Sequence, residues 1–319
     1  MNQRTARSRL WLVRLARLAV TAGLFALVLR RIEVQRLLQI ASDVRPGYVV
    51  VLLVCSLGER IFGAWRWYLL LRDHHSAISF GAVLRLTFVS DFIGYFSPGS
   101  LGVDALRLYG MSRTTSDLAL TATSMLVERM FAVLALILLV LFGLSFQLPI
   151  LPPEIGRLAW LGLALLLLAL VGLMTPPFRR TTLWLLSHRR LTRLHSGAQK
   201  VYRSLDQYRA RPGLLAGSLV IAVMFQLMRC ASTAIGAAAF DVHLPFLLYI
   251  VIMPVIILIT LLPISIAGLG VRELGFVYLF GQVGMPAEIA LSLSLLTRLL
   301  TILLAVPGAW FYARRGVLA

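Results

Sequence analysis

Residues 118–146 read Leu-Ala-Leu-Thr-Ala-Thr-Ser-Met-Leu-Val-Glu-Arg-Met-Phe-Ala-Val-Leu-Ala-Leu-Ile-Leu-Leu-Val-Leu-Phe-Gly-Leu-Ser-Phe. A run this long and this apolar exceeds the ~20 residues a helix needs to cross the ~30 Å hydrocarbon layer of a bilayer. Yet Glu128 and Arg129 sit near its middle, where each charge costs roughly 3 kcal/mol if it faces lipid. The stretch thus implies a membrane-spanning helix and a polar interior for that helix to face.

The rest of the chain agrees. Hydrophobic residues make up 59% and charged residues 14% of 319, a balance that no water-soluble globule of this size can bury. The net charge of +18 is carried almost wholly by arginine, since Lys200 is the only lysine. Much of it flanks apolar runs, the pattern of positive-inside topology and anionic headgroup contact, not of a nucleic-acid surface. Cys55 and Cys230 fall inside apolar runs and read as packing residues with no disulfide. The charged start, Met1 to Arg17, precedes an apolar run without a small-residue cleavage site, so a retained first helix is expected.

By the length criterion, crossings fall near 11–29, 47–71, 118–146, 157–175, 213–240 and 286–312. Two further apolar segments, roughly 78–98 and 246–262, end in breaker-rich stretches, Ser97-Pro98-Gly99-Ser100-Leu101-Gly102 and Pro263-Ile264-Ser265-Ile266-Ala267-Gly268-Leu269-Gly270. They read as re-entrant hairpins that unwind near mid-membrane. The fold class expected is all-α: a single transmembrane domain over 1–319 with about six crossings and two re-entrant hairpins. A basic loop at about 176–212, densest over 178–211, is the strongest orientation signal, and it places both termini in the cytoplasm. The arginines of 30–45 sit in what this count makes an outer loop, so either that loop lies along the interface or the first crossing is misplaced.

The two halves share a plan. In the first, about 47–146, Arg60 precedes and Arg129 follows the Pro98 turn. In the second, about 213–312, Arg229 precedes and Arg298 follows the Pro263 turn. The halves run in opposite directions, the arrangement of inverted-repeat transporters with sites at the midplane. Ser56, Glu59, Arg60 and Gly63 form a stripe at helical spacing. So do Thr121, Ser124 and Glu128; Gln226, Arg229 and Thr233; and Ser294, Thr297, Arg298 and Thr301. Four polar stripes on four helices imply one shared interior.

Arginines at Arg60, Arg66, Arg107, Arg129, Arg229, Arg272 and Arg298 outnumber the carboxylates Glu59, Asp91, Asp104, Glu128 and Glu273. Any single pair reads equally well as a structural ion pair. The surplus favours an anionic ligand, for which guanidinium forks suit phosphate. Pro98, Gly99 and Gly102 before Asp104 and Arg107, and Gly268 and Gly270 before Arg272 and Glu273, let backbone N–H groups at a helix start approach such a ligand. Because Glu128 and Arg129 are adjacent, their side chains diverge by about 100°. Arg129 must therefore find its counter-charge elsewhere, on another helix at a residue such as Asp104 or on a substrate phosphate.

At these residues the chain resembles a family. Ser97-Pro98-Gly99 with Gly102-Val103-Asp104 and Arg107, then Glu128-Arg129, then Gly268-Leu269-Gly270-Val271-Arg272-Glu273, with Arg60 and Arg66-Trp67 upstream, resemble the flippase-like transmembrane domain of lysylphosphatidylglycerol synthases. The likeness runs from about residue 10 to 312, and it departs at Leu101-Gly102, where the family commonly has adjacent glycines. Stand-alone members occur with glycolipid, polyprenyl-phosphate-sugar and hopanoid pathways. The resemblance implies translocation of a lipid or lipid-linked substrate in a bacterial cytoplasmic (inner) membrane, without the aminoacyl-transferring activity of full-length synthases.

No HExxH, GxSxG, GxGxxG or CxxC motif occurs, so no catalytic residue, metal site or cofactor is assigned. An intramembrane lipid-phosphate transferase using Asp104 or Glu128 as base stays open. So does a non-catalytic partner that docks a glycosyltransferase or another lipid-synthesis protein through loop 178–211.

Overall fold

The computed structural model describes residues 46–72, 78–95, 101–115, 117–146, 157, 160–168, 175–185, 192–261, 265 and 268–315. Regular structure among them is helical: α1 Pro46–Arg72, α2 Phe80–Tyr95, α3 Leu101–Thr115, α4 Leu118–Leu144, α5 Pro176–Leu185, α6 Thr192–Arg209, α7 Pro212–Ala238, α8 Phe246–Leu261, α9 Val271–Gly281, α10 Ala287–Leu303 and α11 Val306–Arg315. Residues 160–168 are helical as well.

Helices α1, α4 and α7 have 27 residues each, and α10 continues through α11 over Ala287–Ala313, again 27 residues. At 1.5 Å per residue these are about 40 Å long, enough to cross a bilayer. They match four of the six expected crossings. The crossing at 11–29 and loop 30–45 lie outside the described residues, and that at 157–175 lies partly outside them.

Local chemistry sets the helix ends. Asp117 caps α4, its carboxylate accepting the Leu120 N–H at 3.0 Å. Pro212 opens α7 at the first turn, where no N–H is needed. Around α1, Val50, Val54, Leu57, Ile61 and Trp65 recur every three or four residues and are exposed, while Leu52, Ala64, Trp67 and Leu71 are buried. The first set is a lipid-facing stripe and the second faces protein.

Helices α2 and α8 have 16 residues, α3 has 15 and α9 has 11. At about 24 Å or less, each is too short to cross the hydrocarbon layer. Instead α2 packs on α3 and α8 on α9, and the first pair closes so tightly that a Cβ at Gly94 would strike Val103. The Pro98 and Gly99 turn and the Pro263 turn lie outside the described residues.

At the centre α1 lies along α7, α4 packs on α8, and α11 packs on α2. The last contact needs glycine, because a Cβ at Gly308 would run into the backbone carbonyl of Phe88. One buried cluster unites α4, α7, α8, α9 and α10 around Ile252, Phe276 and Phe280; a second joins α1, α4, α6 and α7.

Segment 178–211 is not a plain loop. Helix α6 buries Tyr202, Leu205 and Tyr208 against α4 and α7, and Tyr208 Oη donates to the Leu70 carbonyl at 2.8 Å. Its opposite face exposes Lys200, Arg203 and Arg209, and Arg179 of α5 pairs with Asp206 at 2.9 Å. The apolar positions of α6 recur every three residues, and that period makes the basic segment helical.

Candidate functional site

Residue 59 is the centre of α1, and Glu128 and Arg129 fall within a turn of the centre of α4. Arg229 lies one turn past the middle of α7, and Arg298 lies near the middle of Ala287–Ala313. Each of the four long helices thus carries a charge within about one turn of its own centre, where a lone charge facing lipid is costly.

Glu128 is buried and accepts from two arginines. Arg66 Nη2 of α1 reaches Oε1 at 2.8 Å, and Arg107 Nη2 of α3 reaches Oε2 at 2.8 Å. The Arg107 guanidinium stacks 4.0 Å over the Trp67 ring, whose Nε1–H donates to Ser124 Oγ at 3.1 Å. Among the described residues, Arg66 Nε and Nη1 and Arg107 Nε are buried with no hydrogen-bond partner. One carboxylate therefore balances two guanidinium groups, and donors are left over.

The second half builds a related cluster from α9 and α10. Gly270 has φ 82°, a backbone open to glycine, and its N–H donates to Glu273 Oε2 at 2.7 Å. Glu273 Oε1 accepts from Arg298 at 3.0 Å. Gly268 has φ 70° and shares the same turn. Arg272 donates to Thr297 Oγ1 at 2.8 Å and stacks on Phe276, with no carboxylate in ion-pair range among the described residues.

Three further pairs fasten the helices together. Glu59 takes Arg229 Nε at 3.5 Å and the Ser232 hydroxyl at 2.6 Å, joining α1 to α7. Arg60 pairs with Asp91 of α2, and its Nη2 donates to the Thr301 carbonyl of α10 at 2.7 Å. That carbonyl is free because the chain breaks step after it: Leu304 N–H goes to Leu300 O and Ala305 N–H to Ile302 O. Last, Arg129 lies 3.6 Å from Asp104 of α3, with 52% and 34% of the two side chains exposed. Among the described residues, it is more open than the ion pairs of Glu59, Arg60, Glu128 and Glu273.

Seven arginines thus meet five carboxylates, and the two surplus positive charges are localised. One belongs to the Arg66–Glu128–Arg107 group and the other to Arg272. Phe225 of α7 connects the halves, since Arg66 stacks on its ring at 5.5 Å and Arg229 at 4.8 Å.

The structure brings Arg60, Arg66, Asp104, Arg107, Glu128, Arg129, Arg229, Gly268, Gly270, Arg272, Glu273 and Arg298 into these groups. Gly102 stands at the start of α3, and Pro98 and Gly99 lie outside the described residues. Glu59 and Asp91, read from the sequence as counter-charges and not as substrate-binding residues, also belong, as does Phe225, which sequence reasoning missed. Phe225 lies one helical turn before Arg229, the only sequence signal that marks it. The described residues hold no group of three or more His, Cys, Asp or Glu able to bind a metal.

No curated protein and no solved structure matches the chain. A family description does, over residues 14–308: Lysylphosphatidylglycerol synthase TM region. With four helices long enough to span a bilayer and a match over nearly its whole length, the chain belongs to the family of the lysylphosphatidylglycerol synthase transmembrane region.

Proposed function

We propose that this protein moves a lipid with an anionic headgroup between bilayer leaflets without covalent chemistry. One observation carries the reading: among helices long enough to span a bilayer lie two uncompensated guanidinium charges, with buried unpaired N–H groups on Arg66 and Arg107. A structural ion pair needs no such surplus, whereas a phosphate consumes it through charge-assisted hydrogen bonds. The candidate cargoes are an anionic phospholipid, a polyprenyl-phosphate-linked sugar, a glycolipid or a related lipid, sharing a phosphate or other anion on an apolar tail.

In this reading α2–α3 and α8–α9 are re-entrant hairpins of two inverted repeats. The exchange of neighbours supports it, because α2 packs on α3, α1 and α11 as α8 packs on α9, α7 and α4. The membrane is the bacterial inner membrane, with both termini and the basic helices α5 and α6 cytoplasmic. There Lys200, Arg203 and Arg209 meet anionic headgroups or a glycosyltransferase partner.

The test is transfer of fluorescent phospholipid and of polyprenyl-phosphate sugar in liposomes carrying the purified protein, with mass spectrometry of copurifying lipid. Transfer above empty liposomes is the expected result. Its absence for every anionic lipid retained through purification would end the reading in favour of a scaffold.

A further inference from the structure

Three pairs of charged residues recur at one interval. Arg60 and Arg229, Asp104 and Glu273, and Arg129 and Arg298 are each 169 residues apart. Packing follows the same exchange: α3 on α4 matches α9 on α10, and α4 on α8 matches α11 on α2. Asp104–Arg129 and Glu273–Arg298 therefore occupy equivalent positions, each joining the second arm of a short-helix pair to the long helix that follows.

Equivalent in place, they differ in state. Asp104 and Arg129 stand 3.6 Å apart with 34% and 52% of their side chains exposed. Glu273 and Arg298 touch at 3.0 Å with 0% and 17% exposed. Both are carboxylate–guanidinium pairs, so pairing chemistry alone does not separate them; the surrounding packing does.

We propose that these two pairs are the alternating ends of one headgroup path, with the Asp104–Arg129 end open in this structure and the Glu273–Arg298 end shut. The proposal rests on the lipid-transport reading above and assigns its ends. In the complementary state Asp104 and Arg129 draw together and bury while Glu273 and Arg298 part, because inverted repeats exchange conformations when access alternates. A lipid phosphate reaching the open end competes with Asp104 for Arg129, and the bidentate guanidinium suits the exchange. Closing one end thus opens the other, and a polar headgroup never faces a continuous aqueous hole.

Thiol accessibility tests the coupling without any transport assay. In protein with Cys55→Ala and Cys230→Ala, single cysteines are placed at the equivalent positions Ala105 and Leu274, and labelling by an impermeant maleimide is timed in liposomes. Position 105 should label readily and position 274 slowly. Glu273→Gln, which loosens the shut pair, should raise labelling at 274 and lower it at 105, changing the ratio of rates by about fivefold or more. Asp104→Asn, which weakens only the closed form of the open pair, should shift the ratio the opposite way. That second variant decides the matter if Glu273→Gln fails to fold, and size-exclusion profiles identify that failure. Rates at both positions rising together, or neither responding to either variant, would overturn the proposal. Reciprocal labelling without lipid transfer would sink the transport reading and leave the paired ends standing. Lipid transfer without reciprocity would do the reverse.

Discussion

Arginines that look alike in sequence carry different burdens in the structure, and substitution should separate them. Glu128 holds two guanidinium groups, Arg66 buried and Arg107 mostly so, and Glu128→Gln leaves both without that counter-charge. The expected loss is roughly 3–5 kcal/mol of stability, seen as a markedly lower melting temperature in detergent and partly recovered by adding Arg107→Gln. Arg129 sits in a loose, half-exposed pair worth at most about 1 kcal/mol. Arg129→Lys should therefore melt close to the parent while lipid transfer in liposomes slows, because lysine keeps the charge and loses the fork. A fully active lysine variant would remove Arg129 from the site. At this scale the sequence was partly legible. It showed that Glu128 and Arg129 must look in different directions and offered Asp104 as the partner of Arg129, the pairing found at 3.6 Å. It did not show that Glu128 serves Arg66 and Arg107 together, or that Asp91 answers Arg60, because those choices depend on which helices become neighbours.

Among the elements, the short α9 depends on its first turn. Gly270 has φ 82° and ψ −48°, a conformation a side chain strains, and its N–H anchors the Glu273 carboxylate that also holds Arg298. Gly270→Ala should cost about 1–2 kcal/mol from backbone strain, with a lower melting temperature as the measure. Helix α6 is tied to the end of α1 by the Tyr208 hydroxyl on the Leu70 carbonyl. Tyr208→Phe should lower stability by about 1–2 kcal/mol, since it leaves a buried carbonyl short of a donor. The long helices were legible to within a few residues, as hydropathy alone decides where an isolated helix is stable in lipid. The basic segment was read through its charge count, which hid the apolar rhythm of Tyr202, Leu205 and Tyr208. Charge says which side of the membrane a segment prefers, while the period of its apolar residues says what shape it takes.

For the whole molecule, the two surplus arginine charges make a thermodynamic statement that needs no transport assay. If an anionic headgroup satisfies them, an anionic lipid added to the detergent-solubilised protein should raise its melting temperature and a neutral lipid of equal chain length should not. At a hundredfold excess over the dissociation constant the gain is about 2.7 kcal/mol. Equal effects from both lipids would mean that the stabilisation comes from the tails.

The break after Thr301 bears on how such a bundle keeps its shape. Lipid tails have no hydrogen bonds to give, so a helix that loses one of its own rungs in hydrocarbon must borrow a donor from its neighbours. Arg60 lends that donor to the Thr301 carbonyl from across the bundle, with Asp91 steadying the charge. In effect the protein carries a substitute water molecule tethered to α1. Solvation supplied by a tether comes with a direction and a fixed reach, and α10 can bend at this joint only as far as the Arg60 side chain can follow.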